Sequence, residues 1–298
     1  MAGRPKTDIQ PDLTKGIPSQ FVEQGDEQII QPNNQNEQLK EKAQTVFNQK
    51  TALIETVKLP TRGLVPNIPG EITIRALQRK DKKKVLMTEV DDILLALLQH
   101  VLVEPQNFNI YNLLPFETKY LLYRLRVLTY GNQHTFKDRC PYCSNVNDVE
   151  LDLNILDVKE VPDSFKTLFD IGPLPVSGTI LKCKLLTEGE RAEITKRAKE
   201  LKDATGNDAV EMDMLWEARV VAINNDSKLA PVEITQFLDE LTDYDSEWFM
   251  EYYYKYEGNY GLQTKLNYNC DECKGRVESE MPSIYTFFRP TFKINIAE

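Results

Sequence analysis

Polar and apolar residues alternate along this chain in two places that share one plan. Gln133-His134-Thr135-Phe136-Lys137-Asp138-Arg139 alternates into a Cys-x-x-Cys turn, and Asp148-Val149-Glu150-Leu151-Asp152-Leu153 alternates out of it. Leu262-Gln263-Thr264-Lys265-Leu266-Asn267-Tyr268 leads into a second such turn, and Gly275-Arg276-Val277-Glu278-Ser279-Glu280 leads away. A period of two places alternate side chains on one face of a sheet, so each stretch predicts a β-hairpin with its cysteines at the tip. Glu71 to Leu77 predicts a further strand behind the Pro69-Gly70 turn.

Helical spacing appears on both sides of the first hairpin. One helix is predicted from about Val90 to Val103, dominated by Ile93, Leu94, Leu95, Leu97, Leu98 and Val101, and one from about Pro115 to Leu128, stopped by Gly131. Between the hairpins, Val149 to about Leu186 reads as strands and turns. Thr187-Glu188-Gly189-Glu190 then forms a capping box that opens a charged helix toward Thr205-Gly206. More helices are expected from about Val210 to Ile223, from Pro231, and from a Ser246 cap through Trp248, Phe249, Tyr252, Tyr253 and Tyr256 to Gly258. The stripe of Trp248, Phe249, Tyr252 and Tyr256 reads as core packing, with interface anchoring as the alternative.

This order divides the chain. Residues 1–53 are an extended arm rich in Gln, Asn, Pro and charge, too polar to offset its own ordering entropy, with one short helix candidate from Asn36 to Phe47. Residues 54–139 hold a strand and helices. Residues 140–273 hold the two knuckles with an inserted strand and helical region, 149–260. Residues 274–298 form a β-prone tail, read as packing on its own domain, with addition to a neighbour's sheet as the alternative. The fold class is therefore α+β, with two β-hairpins forming a zinc ribbon around a mainly helical insertion.

The chemistry lies in the cysteines. Two Cys-x-x-Cys turns, Cys140 with Cys143 and Cys270 with Cys273, can each point two thiolates one way and together close a tetrahedron around one zinc ion. Four thiolates fill the shell, so the site is expected to be structural and not catalytic. Two disulfides or two unrelated pairs of reduced thiols are the alternatives, and His134, six residues before Cys140, can replace one thiolate. Cys183, in an alternating run, reads as a small buried apolar residue, and His100 as a satisfied helix residue.

Composition narrows the class further. The 298 residues carry a formal net charge of −10, which disfavours a general nucleic-acid binder, because phosphate contacts need surplus Lys and Arg. The basic run Arg79 to Lys84 reads as a solvated helix start, with an anionic partner as the alternative. No apolar run approaches the ~20 residues that cross a bilayer, and no apolar core follows Met1 to Lys6, so a soluble, intracellularly made protein is expected. No phosphate-binding glycine loop, nucleophile elbow or His-Glu-x-x-His pair is present, and an enzyme is not expected.

The Lys58-Leu59-Pro60-Thr61-Arg62-Gly63-Leu64 run, Ile68 to Leu77, Leu125 to Gly131 and the Cys-Pro-x-Cys knuckle, in this order and spacing, resemble the baseplate proteins of T4-type contractile-tailed phages. The chain is similar in particular to the family that includes a small hub or central baseplate subunit. The resemblance covers roughly residues 55 to 290, and the long arm and the helical insertion depart from shorter members. It implies a virion structural or tail-assembly role without enzymatic activity. The partners are then other baseplate and tail proteins, with multiple copies of itself or of neighbours, and no membrane or direct nucleic-acid contact. The location is host cytoplasm during assembly and then the virion tail baseplate. Two other classes remain: an assembly chaperone absent from the finished particle, and a zinc-ribbon nucleic-acid-binding regulator.

Overall fold

The computed structural model describes residues 53–86, 93–206 and 210–281, all within one compact unit that spans Ala52–Glu298. The arm, its helix candidate, and the tail beyond Met281 lie outside the described residues. The described chain is mixed α and β, with seven α-helices and several small antiparallel sheets.

The first sheet is built from β1 (Ile54–Lys58), β2 (Glu71–Arg75) and β3 (Leu102–Glu104), in that order. Ile72 and Ile74 alternate inward with Val57 and are buried, while Thr56 and Thr73 share a cross-strand hydroxyl contact of 2.9 Å on the outer face. The predicted strand thus ends two residues early, at Arg75. Helix α1 (Arg79–Leu86) begins there because Asp81 is buried, accepts the Gln78 amide at 2.8 Å and takes both guanidinium arms of Arg75. Arg79, Lys80, Lys82 and Lys83 stay exposed around it.

Helix α2 (Ile93–Val101) buries Leu94, Leu95, Leu97, Leu98 and Val101. The predicted helix ran on to Val103, but Leu102 pairs with Ile74 and starts β3 instead. Helix α3 (Pro115–Tyr130) starts with proline at its first position, where no intrahelical N–H is lost, and buries Phe116, Leu121, Leu122, Tyr123 and Leu125. Glu117 is also buried, where it accepts hydrogen bonds from the Thr61 hydroxyl and from the Leu114 amide at 3.2 Å.

Helix α3 carries both hairpins. Its C-terminal end turns through Gly131 (φ 86°) into the first hairpin, β4 (Gln133–Arg139) and β5 (Val146–Asp152). The buried Arg126 guanidinium clamps this exit by donating to the carbonyls of Gly131 and, at 3.0 Å, Gln133. Near its N-terminal end, Phe116 lies against Gly261 (φ 77°), where an added Cβ would sit 2.9 Å from the Phe116 carbonyl oxygen. Gly261 opens β10 (Gly261–Leu262), which pairs with β6 (Val158–Lys159) and leads to the second hairpin, β11 (Lys265–Asn269) and β12 (Arg276–Glu280). A small cluster of Tyr123, Leu151, Leu153, Leu262 and Met281 fills the space between helix and hairpins.

The insertion has its own sheet, β7 (Leu168–Ile171), β8 (Leu181–Lys184) and β9 (Val220–Ile223), with α4 (Glu188–Thr205), α5 (Val210–Arg219), α6 (Pro231–Asp239) and α7 (Asp243–Gly258) around it. Thr187 and Glu190 close the expected capping box on α4. Two expectations fail here. The helix predicted through Ile223 stops at Arg219, because Val220 to Ile223 complete the sheet beside β8. Helix α7 starts at Asp243 under a Thr242 cap and not at Ser246, while Asp245 is buried and receives the Val176 and Ser177 amides at 2.8 and 2.9 Å. Phe249 and Tyr253 bury the core face of α7, whereas Tyr252 is exposed. Arg219 is buried among aromatic rings, its guanidinium 4.1 Å from the Trp216 centroid and 4.5 Å from that of Tyr253.

Candidate metal centre

The two hairpins are built alike at their tips. In each, the first cysteine amide donates back across the turn, from Cys140 to the Asn145 carbonyl and from Cys270 to that of Gly275, both at 2.9 Å. The residue after the second cysteine then donates to the first cysteine's carbonyl, Ser144 at 2.9 Å and Lys274 at 3.0 Å. Ser144 (φ 62°) and Lys274 (φ 56°) take up the left-handed backbone that folds each loop into a knuckle. In both knuckles the first cysteine is buried and the second exposed.

The knuckles meet face to face. Cys140, Cys143, Cys270 and Cys273 all bring their sulfurs within 4.8 Å of one another. Two of these approaches join one knuckle to the other, Cys140 to Cys273 at 3.8 Å and Cys143 to Cys270 at 3.6 Å. A tetrahedron with ~2.3 Å metal–sulfur bonds has edges of about 3.8 Å, so the spacing suits four thiolates around one ion. All five cysteines are free.

Protons are unevenly held within the group. Burial pushes the Cys270 thiol up, but the Cys273 and Glu272 amides and the thiols of Cys143 and Cys273 outweigh it and bring it down to about 6. The Asn145 amide pulls Cys143 down, yet desolvation and the other three sulfurs prevail and push it up to about 12.

Polar struts join the hairpins around the sulfurs. The buried Asn147 on β5 accepts the Asp271 amide of the second knuckle at 2.9 Å. The Tyr268 hydroxyl on β11 donates to Asp138 on β4 at 2.9 Å. Cys140, Cys270 and Val277 form a small apolar floor beneath, with Tyr268 against it.

Of the other residues singled out from the sequence, His134 pairs with Leu151 at the far end of the hairpin, and it is not among the four metal-capable groups. Burial, with the Arg126 charge behind it, lowers its pKa. Cys183 is fully buried on β8, where desolvation pushes its thiol up to about 12. Asn147, Tyr268 and Asp138 were not foreseen. Their signal is an internal repeat: adding 130 to a first-hairpin number gives its counterpart in the second, so that Cys140 corresponds to Cys270, Cys143 to Cys273 and Asp138 to Tyr268.

The family model described as T4 bacteriophage base plate protein matches residues 51–289, which include both hairpins and the whole insertion. No curated protein and no solved structure matches the chain significantly.

Proposed function

This chain belongs to the T4 bacteriophage base plate protein family, and we propose that it serves as a non-enzymatic structural subunit whose two knuckles form a zinc ribbon closed by one ion. Cys140, Cys143, Cys270 and Cys273 are the ligands, and Zn2+ is the metal, since four soft thiolates in a closed tetrahedral set suit it. The observation that carries the reading is the convergence of four sulfurs from hairpins more than a hundred residues apart in a chain of this family.

A closed shell leaves no position for substrate, so the ion acts as a staple. It locks the exit and re-entry points of the insertion together on α3 and presents the insertion as a rigid body to neighbouring baseplate and tail proteins. The subunit forms in the host cytoplasm and ends in the virion tail. Among the described residues no helix is long and apolar enough to cross a membrane.

Elemental analysis of the purified full chain should find about one zinc per protein, and mass spectrometry of purified particles should find the chain at stoichiometric level. Oxidised cysteine pairs without metal would replace the staple by disulfides. Particles lacking the chain would make it an assembly chaperone.

A further inference from the structure

The two knuckles are related as a two-fold axis would relate them, because contacts between counterparts are exchanged: Cys140 meets Cys273 just as Cys143 meets Cys270. Asp138 and Tyr268, counterparts of one another, meet each other. Against this symmetry one position stands out. Asn147 in the first hairpin corresponds to Val277 in the second, and its partner Asp271 corresponds to Pro141.

The difference has a chemical reason. In the second knuckle the amides of Glu272 and Cys273 are directed to the Cys270 sulfur, which leaves the Asp271 N–H to be satisfied elsewhere. Asn147 supplies the acceptor, at 2.9 Å, from a side chain that is 2% exposed. In the first knuckle the corresponding residue is Pro141, which has no N–H, and the position that would answer it is the apolar Val277. An acceptor thus faces an amide donor in one half, and where the donor is missing the acceptor is missing too.

Asn147 also reaches the first knuckle. Its Nδ2 donates to the Asn145 carbonyl at 3.4 Å, the carbonyl that already receives the Cys140 amide. One buried side chain therefore touches the backbone of both half-sites.

We propose that Asn147 is a positioning residue for the metal centre: it sets the register of the second knuckle on the first, so that the two Cys-x-x-Cys turns of one chain present a preformed tetrahedron to the ion. This rests on the metal reading above. Groups that orient the ligands of a metal typically change its affinity 10- to 100-fold when removed.

The test uses the full chain, stripped of metal and titrated with Co2+ and then with Zn2+ against a competing chelator. Asn147→Val should bind Zn2+ 10- to 100-fold more weakly, with shifted or broadened Co2+–thiolate absorption, and Tyr268→Phe should show a smaller loss. Asn147→Val combined with Asp271→Pro recreates the first knuckle's pairing in the second, and it should recover most of the affinity and the original spectrum. The inference is overturned if Asn147→Val binds within twofold of the unaltered chain with the same spectrum, or if the added Asp271→Pro recovers nothing. If Asn147→Val does not fold, Asp271→Pro alone, which removes the amide that Asn147 accepts, overturns it when affinity and spectrum are unchanged. An unaltered chain that takes up neither metal overturns the metal reading itself, a different result from any of these.

Discussion

The hairpin pair and the body of this protein are held by different forces. Among the described residues, the main core gathers thirty buried apolar residues, running from Val57 on β1 to Tyr253 on α7. The floor between the knuckles gathers three, and two of those are cysteines. Burial at roughly 25 cal/mol per Å2 stabilises the first region unaided and gives the second almost nothing. Where apolar burial is missing, cohesion has to come from a few directed hydrogen bonds and, on the proposed reading, from the ion. The body should therefore tolerate metal loss, and the knuckles should tolerate little else.

The largest effect expected is that of removing the metal. Cys140→Ser with Cys270→Ser, or chelation of the intact chain, should abolish hydrogen-exchange protection at both hairpin tips, while protection in α3 and α7 persists. Structural zinc is worth on the order of 10–16 kcal/mol in small zinc-dependent domains, and here its loss should stay local. Exchange mass spectrometry checks this, and simultaneous loss of the body would erase the contrast.

The reverse experiment is Leu98→Ala, at a fully buried position of α2. It should lower global stability by about 2–5 kcal/mol in denaturant unfolding and leave metal affinity unchanged. Coupling between the two readouts would mean that core and knuckles form one cooperative unit.

The body carries a pH dependence of its own. Desolvation raises the Glu117 carboxyl from 4.5 to about 7, against the Thr61 and Leu114 hydrogen bonds that lower it. With the folded pKa above the unfolded one, the native state binds more protons between these values. The contribution is thus complete below about pH 4.5 and is lost as pH rises toward 7, by about 3 kcal/mol. Urea melts of the unaltered chain and Glu117→Gln, compared at pH 5 and pH 7.5, should show the variant's pH dependence flattened by about 2 kcal/mol, the part of the change that falls in this window.

The smallest change expected is at Arg197 and Glu193, an exposed pair four residues apart on α4. Arg197→Ala should cost about 0.3–0.5 kcal/mol, less at high salt, and should alter neither region's signature.

What the sequence revealed follows from how local each signal is. The Thr187–Glu190 capping box, the Pro115 start of α3 and the leucine-rich face of α2 are written within a turn or two of chain, and they were legible. The convergence of the two Cys-x-x-Cys turns was legible as a likeness of plan, since both carry the same flanking alternation. Val220 to Ile223 was not, because a short apolar run extends a helix as readily as it forms a strand, and only the distant β8 decides. Thr242 and Ser246 are both competent caps, and Asp245's long-range bonds to Val176 and Ser177 accompany the choice of the first. Arg219 gave no local signal, since it closes α5 as an ordinary charged residue. One of its rings, Trp216, is on its own helix, but Tyr253 arrives from another, α7. Asn147 was invisible because its partner amide lies 124 residues away in the chain.

The 133-residue separation of Cys140 and Cys273 also sets a clock. During translation at roughly 5–20 residues per second, the first knuckle leaves the ribosome many seconds before its counterpart exists. A truncated chain carries a half-set of thiolates and cannot close. On the proposed reading, closure would therefore certify that the intervening polypeptide has been made in full.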